Sequence, residues 1–228
     1  SNRLLEKLST QEELSDPQRV LSGVLHQRLE RICQANFDAN VPVYIDAEES
    51  WIQPAIDRLV ETMMAKLNKE QAIVFQTVQM FRHDRLEYLK SLIEKARREG
   101  FKVGVKIVRG AYLDKENKRA QEMGYPTPIQ PTKQATDDDY NEALKLCIEN
   151  IDWVELCAGT HNELSSKYLA YLMNEKGLQN DHPNVYFSQL YGMSDYMSFN
   201  LAAAGYNVSK YLPYGPVKFT LPYLIRRA

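Results

Sequence analysis

The chain has 228 residues, of which 44% are hydrophobic and 25% charged, as in an ordinary soluble protein of one large or two small domains. Its 28 basic and 30 acidic residues give a net charge of −2, which argues against nucleic-acid binding because no excess of cations is present for phosphates. No apolar run approaches the ~18 residues of a membrane span. No signal or transit segment is visible, and we expect the natural protein to begin further upstream.

The histidines and cysteines do not suggest a metal site. The chain has four histidines and three cysteines, and none of them is in CxxC or HxxxH spacing. The cysteines Cys33, Cys147 and Cys157 lie in apolar sequence, which predicts reduced, buried thiols.

A repeated strand–helix pattern follows a helical lead-in. Apolar residues at three- and four-residue spacing predict an amphipathic helix over residues 16–33. The next predicted elements are a strand at 41–45, a helix at 52–67, a strand at 72–75, a helix at 86–96 and a strand at 103–108. Asp46, Gln76 and Lys106 lie at strand ends and thirty residues apart, one strand–helix unit per interval. This repeat predicts a parallel sheet.

The second half of the chain continues the pattern after a polar, proline-rich segment. Residues 114–135 predict a long loop over one end of the sheet, with a weak strand near 127–130. The remaining predicted elements are a helix at 140–148, a strand at 153–157, a helix at 163–175, a strand at 185–187, a helix that ends at Gly205, a strand at 208–212 and a helix from 221.

Six clear strands and one weak strand favour a (β/α)₈ barrel over a doubly wound open sheet. The open sheet usually has a glycine-rich phosphate turn after its first strand, and none is present. We therefore predict a single domain, in which residues 1–40 are a helical lead-in packed on a barrel of residues 41–228.

Polar side chains gather at the predicted carboxyl ends of the strands. They are Asp46, Gln76, Lys106, Arg109, His161, Gln189, Tyr211 and Tyr214. On the last helix Tyr223, Arg226 and Arg227 share one face. Two arginines can bind a carboxylate, and Asp46 can bind a cation, so the set suits a zwitterion such as an amino acid.

Each of these residues also has a structural interpretation. Asp46 can be a helix N-cap, and Lys106 can be a lysine on an edge strand whose ammonium reaches solvent. His161 can be a hydrogen-bonded loop residue, and the two arginines can be solvated charges at a helix end. Their common position at strand ends favours a site.

Six segments in chain order resemble motifs of the proline dehydrogenase family. They are Asp46–Glu49, Lys106–Tyr112, Thr160–Asn162, Gln189–Met193, Tyr211–Pro216 and Tyr223–Arg227. The resemblance runs from about residue 41 to the C-terminus. It implies an FAD-dependent (β/α)₈ barrel that oxidises L-proline to Δ¹-pyrroline-5-carboxylate by hydride transfer to flavin N5 and passes the electrons to a quinone.

The resemblance also implies residue roles. The implied proline-binding residues are Asp46, Ala111, Tyr112, Leu190, Tyr211, Tyr223, Arg226 and Arg227, with the two arginines on the carboxylate. The implied FAD-binding residues are Gln76, Lys106, Arg109, Gly110, Ala111, Thr160, His161, Asn162 and Gln189. Asp46, Tyr211, Tyr223, Arg226 and Arg227 are the candidate catalytic residues. Tyr211 would crowd a hydroxyl on the ring, so we expect proline rather than hydroxyproline as the substrate.

One departure from the family leaves two other functions open. The family's first barrel strand carries a lysine at the proline site, and we do not recognise that strand here, so we expect two unpaired sheet edges. One alternative is a catalytically impaired barrel fragment that does not hold FAD. The other is an aldolase-like barrel in which Lys106 forms a Schiff base.

The resemblance also implies a location. We expect a cytoplasmic protein or one peripheral to the bacterial inner membrane, with the mitochondrial inner membrane or matrix as the alternative.

Overall fold

The computed structural model describes residues 2–225, apart from the side chains of Phe219, Tyr223 and Leu224. Within this range six parallel strands form one sheet in the order β1-β2-β3-β4-β5-β6. The strands are β1 Val43–Ile45, β2 Val74–Gln79, β3 Val103–Val108, β4 Val154–Gly159, β5 Val185–Leu190 and β6 Val208–Tyr211. The parallel sheet is confirmed.

The helices precede β1, connect successive strands or, in the case of α9, follow β6. They are α1 Asn2–Thr10, α2 Asp16–Asp38, α3 Gln53–Leu67, α4 Arg85–Glu99, α5 Leu113–Met123, α6 Lys133–Glu149, α7 Glu163–Glu175, α8 Asp195–Ala203 and α9 Val217–Ile225. None of these helices, within residues 2–225, is long and apolar enough to span a membrane.

The sheet curls into a half-barrel, with β1 and β6 at its two edges. Because the described residues contain six strands, the closed eight-stranded barrel is not confirmed. The division of the chain into a helical lead-in and a barrel stays a prediction.

The hydrophobic core lies between the convex face of the sheet and the helices. On β3 the side chains of Val103, Val105 and Ile107 have no exposed surface and pack in one cluster with Leu144 of α6. Since side chains alternate along a strand, Lys106 lies on the opposite, concave face. Within the described residues the three cysteines are buried and form no disulfide, as expected.

Helix α5 occupies residues for which the sequence analysis predicts a loop. That prediction is wrong. Hydrophobic spacing does not reveal the helix, because its surface is polar and only Glu116 and Ala120 are buried. Gly124 ends the helix with a φ of 72°, a left-handed conformation that favours glycine. The weak strand near 127–130 is a single antiparallel bridge between Arg82 and Ile129.

Other boundaries also differ from the predictions, and three of them bear on the site. Strand β2 continues three residues past Gln76, to Gln79. Helix α6 begins at Lys133 rather than 140, because the Thr132 hydroxyl caps it by accepting a 3.0 Å hydrogen bond from the Ala135 N–H. Helix α9 begins at Val217 rather than 221.

A glycine is required where β3 turns toward α5. Gly110 has a φ of 141°, and a Cβ atom there would overlap the ring of Phe81. The two segments are held together because the Phe81 N–H donates a 2.7 Å hydrogen bond to the Arg109 carbonyl. The turn that follows β3 therefore depends on the missing side chain.

We predict that Gly110→Ala lowers the free energy of unfolding by about 2–4 kcal/mol, because the methyl group displaces Phe81 and strains the backbone. Urea unfolding followed by circular dichroism measures this change. The control is Gly23→Ala in α2, where a Cβ atom would meet no other atom within 4 Å. Gly23→Ala should raise the stability by about 0.5–1 kcal/mol. Equal effects of the two substitutions would contradict the prediction.

Candidate active site

The carboxyl ends of the strands surround a cavity of about 760 Å³, which we call the edge cavity. This volume is in the range of small-molecule sites, and this end of a parallel barrel is where active sites lie. The predicted site residues that line it are Asp46, Lys106, Arg109, Gly110, Ala111, Tyr112, Thr160, His161, Asn162, Gln189, Leu190 and Tyr211. The structure thus brings together residues that lie at or just after the carboxyl ends of β1, β3, β4, β5 and β6.

An ion pair between Asp46 and Lys106 lies in the edge cavity. Asp46 directly follows β1, and its carboxylate pairs with the ammonium group of Lys106 and accepts a 3.3 Å hydrogen bond from the Thr77 hydroxyl. The Lys106 side chain is 20% exposed and that of Asp46 is 63% exposed. The cavity therefore presents a negative and a positive group side by side.

Arg109 is held by contacts to three other segments. Its Nε donates to Asp137 at 2.6 Å, and its two terminal nitrogens donate to the hydroxyls of Thr160 at 2.8 Å and Ser165 at 2.9 Å. The guanidinium also lies 4.3 Å from the ring centre of Tyr140. Arg109 thus fixes the positions of the segments that begin α6 and α7 relative to the end of β3.

The negative charge that lies next to the Arg109 guanidinium is the carboxylate of Asp137. Burial raises the pKa of Asp137, but hydrogen bonds and charge from Lys133 and Arg109 outweigh it and hold the pKa below its usual value. Asp137 therefore stays ionised at neutral pH.

The residues at the carboxyl ends of β4 and β5 line the cavity and also hold neighbouring segments in place. The Asn162 side chain caps α7 by accepting a 3.1 Å hydrogen bond from the Ser165 N–H. The His161 Nδ1 lies 3.1 Å from the Ser194 hydroxyl oxygen. Gln189 accepts a 2.8 Å hydrogen bond from the Ser198 hydroxyl and donates one of 3.4 Å to the Thr160 carbonyl. These bonds connect β4, β5 and α8 around the cavity.

Gln76 does not reach the edge cavity, in contrast to its predicted contact with the flavin. It is 1% exposed and faces the helices, where it donates to Asp57 and accepts a 3.0 Å hydrogen bond from the Tyr88 hydroxyl. Burial raises the pKa of Asp57, and Arg85, at 2.9 Å, partly opposes this shift. Gln76 therefore belongs to a buried polar network between β2, α3 and α4.

Sequence reasoning missed Gln79, which lines the edge cavity. Because side chains alternate, the continuation of β2 places Thr77 and Gln79 on the cavity side. The Gln79 amide donates a 3.0 Å hydrogen bond to the Glu48 carbonyl and accepts one of 3.2 Å from the Ala111 N–H. The available signal was the alternation that continues from Phe75 through Thr77 to Gln79.

Three predicted residues cannot be placed in the site. Tyr223 belongs to α9, but its side chain is not described. Arg226 and Arg227 lie outside the described residues, so their proposed contact with a carboxylate stays a prediction.

A second cavity, of about 860 Å³, lies along the concave face toward the amino ends of the strands. Its lining includes Tyr44, Phe75 and Tyr186, and it shares Asp46 and Lys106 with the edge cavity. We take the edge cavity as the candidate site although it is smaller, because the residues that follow the strands face it. Within residues 2–225, no group of three His, Cys, Asp or Glu side chains could bind a metal ion.

The chain is similar in sequence to known proteins. The family model described as proline dehydrogenase matches residues 2–228. Proline dehydrogenase 1, mitochondrial, of Drosophila melanogaster is 41% identical over 212 residues, which are 89% of this chain and 31% of that protein. The human protein of the same name is 40% identical over 228 residues, 99% of this chain and 37% of that protein. The chain thus spans about a third of the length of these relatives.

A solved structure gives the same fold. The chain superposes on proline utilization A from Bdellovibrio bacteriovorus, inactivated by N-propargylglycine, with a TM-score of 0.84. The match covers 90% of this chain and 21% of that chain at 24% identity.

We predict that Asp137→Asn destabilises the protein by about 1–3 kcal/mol at pH 7. The neutral amide contacts Arg109 more weakly, and the partly buried guanidinium then lacks its paired negative charge. The neighbouring Asp138→Asn is the control, since Asp138 is exposed and bonds only within α6 to Gln134 among the hydrogen bonds described. It should change the stability by less than about 0.5 kcal/mol.

The pH dependence tests the same contact. Because the pKa of Asp137 is lowered in the folded protein, its contribution is present above about pH 4 and is lost as the pH falls further. The difference between wild type and Asp137→Asn in urea unfolding should therefore shrink at about pH 3. An undiminished difference at that pH would refute this explanation.

Proposed function

The chain belongs to the proline dehydrogenase family, and we propose that its protein oxidises L-proline to Δ¹-pyrroline-5-carboxylate, with FAD as the hydride acceptor and a quinone as the next electron acceptor. The family and the likeness of the fold to proline utilization A support a role in proline catabolism. The observation that carries the proposal is the edge cavity, which gathers the family's motif residues at the carboxyl ends of the strands.

The chemistry of the edge cavity suits FAD. A dinucleotide needs cations and N–H donors for its phosphates and hydrogen-bonding groups for its ring. Lys106, Arg109 and Lys133 supply positive charge. Helix α7 begins at the cavity with Asn162 as its N-cap, so the backbone N–H groups of its first turn lie near the cavity. We propose that Lys106, Arg109, Thr160, His161 and Gln189 hold FAD. We also propose that Gln79 takes the FAD-binding role that the sequence predicts for Gln76.

When bound, FAD supplies an acceptor, at N5, for the hydride that proline loses from the ring carbon next to nitrogen. The protein's own side chains then bind and orient the substrate. The exposed carboxylate of Asp46 attracts the substrate's cationic amine. Arg226 and Arg227 bind its carboxylate, as the family motif implies.

Apolar and aromatic side chains complete the proposed substrate site. Ala111, Tyr112, Leu190 and Tyr211 line the edge cavity, and Leu190 is 6% exposed. These groups contact the ring and exclude water from it. Tyr211 at the end of β6 crowds a ring hydroxyl, which favours proline over hydroxyproline.

We also propose a mitochondrial location. The Drosophila and human relatives are named as mitochondrial, which supports this alternative over the cytoplasm or the bacterial inner membrane. A peripheral contact with the membrane would give access to a quinone.

The absorption spectrum of the purified full-length protein tests the proposal. We expect flavin bands that bleach when L-proline is added without oxygen and that persist when D-proline is added. Bands that persist with L-proline would refute the proline assignment. The impaired-fragment alternative concerns the 228-residue chain by itself, and it is correct if that chain, purified alone, holds no flavin and does not bind added FAD. Labelling of Lys106 by borohydride with a carbonyl substrate would instead support the aldolase alternative.

A further inference from the structure

A fully buried carboxylate lies behind the edge cavity. Glu116, in the first turn of α5, is 0% exposed. Its two oxygens accept hydrogen bonds of 2.6 Å each from the N–H and the hydroxyl of Ser50. A buried carboxylate is costly unless it is hydrogen-bonded, and both of these bonds go to one residue that lies 66 positions away in sequence.

Ser50 ends the segment that begins with Asp46, and we call residues 46–50 the acidic loop. Other contacts hold this loop. Glu49 is 3% exposed and pairs with Lys115, the neighbour of Glu116 on α5. The Glu48 N–H donates a 2.8 Å hydrogen bond to Gln53 of α3. The backbone that carries Asp46 is therefore fixed by two helices.

Helix α5, which carries Glu116, begins directly after Ala111 and Tyr112, and these two residues form a wall of the edge cavity. The Glu116 backbone N–H donates the ordinary helical hydrogen bond, of 2.9 Å, to the Tyr112 carbonyl, so the first turn of α5 links Glu116 to these two residues. Gln79 makes a parallel connection within the cavity, because its amide bonds both Glu48 and Ala111. The Glu116 side chain thus joins α5, which begins directly after Tyr112, to the acidic loop, and Gln79 joins Ala111 to the same loop from inside the cavity.

We propose that Glu116 is a positioning residue that fixes Asp46 relative to Ala111 and Tyr112, and so preorganises the edge cavity for its substrate. The substrate is L-proline if the proposed function is correct, and the inference rests on that function for its kinetic consequence only. Small errors in the position of a binding group weaken binding, whereas the reacting groups themselves are unchanged.

The experiment compares Glu116→Ala, Glu116→Gln and Glu122→Ala in the full-length flavoprotein. Glu122 lies on the same helix, but its side chain is 61% exposed and faces Lys118, so it is the matched control. Glutamine is the conservative replacement. Its amide oxygen can accept from the Ser50 N–H, and its NH₂ group can donate to the hydroxyl, which then reverses its role.

Hydrogen–deuterium exchange reports on the acidic loop without any need for activity. We expect Glu116→Ala to speed exchange in a peptide covering residues 46–52 by about tenfold, because the Ser50 N–H loses its acceptor. Glu122→Ala should leave this exchange unchanged, and Glu116→Gln should restore it most of the way to wild type.

Steady-state kinetics with L-proline and a dye acceptor give the second readout. We expect Glu116→Ala to raise KM about tenfold while kcat stays within about twofold and the flavin content is unchanged. If Glu116→Ala does not fold, Ser50→Ala serves instead. It removes only the hydroxyl bond and should raise KM about threefold.

The inference is overturned if loop exchange and KM in Glu116→Ala match those of Glu122→Ala, or if kcat falls in Glu116→Ala while KM is unchanged. Failure of the proposed function is a separate result, in which the wild-type flavin is not reduced by L-proline. In that case the exchange measurement still decides whether Glu116 fixes the acidic loop.

Discussion

The parallel register of the six strands is the constraint on which the candidate site depends. In a parallel sheet the carboxyl ends of all the strands lie at the same end of the sheet, so the residues that follow the strands gather there. Thr77 lies opposite Lys106, and Asp46 follows Ile45, which pairs with Gln76. Asp46, Thr77 and Lys106 therefore form one row across three strands. A shift of one residue in β3 would turn Lys106 toward the helices and expose Val105 or Ile107 to the cavity.

Much of this arrangement could be predicted from the sequence, because hydrophobic runs and their spacing mark buried strands. The prediction for Gln76 was wrong because all six residues of β2 are buried, so the first polar residue does not mark the end of the strand. Helix α5 was missed for the opposite reason, since it buries too few side chains to produce a hydrophobic period. Hydrophobic patterning locates helices and strands that have one buried and one solvent-exposed face. It does not locate them when both faces are buried or nearly all of the surface is exposed.

The partners of the polar site residues could not be predicted, because they depend on the tertiary fold. The sequence placed Arg109 at the end of a strand. It could not show that Asp137 and Ser165, 28 and 56 residues away, accept hydrogen bonds from its guanidinium. The bonds between Glu116 and Ser50 are of the same kind. Such contacts follow from the way that successive strand–helix units stack, and no local pattern encodes them.

These contacts divide the polar residues of the edge cavity into two groups. Arg109, Gln79 and Asn162 use hydrogen bonds to fix neighbouring segments, so they give the cavity its shape. Asp46 and Lys106 instead pair with each other, and the Asp46 carboxylate remains largely exposed. Because the Asp46 carboxylate is exposed to solvent, its pairing with Lys106 is screened, and the carboxylate can exchange partners at low cost when a charged ligand binds. The hydrogen-bonded residues therefore keep the shape of the cavity, whereas the Asp46–Lys106 pair can adjust to a charged ligand.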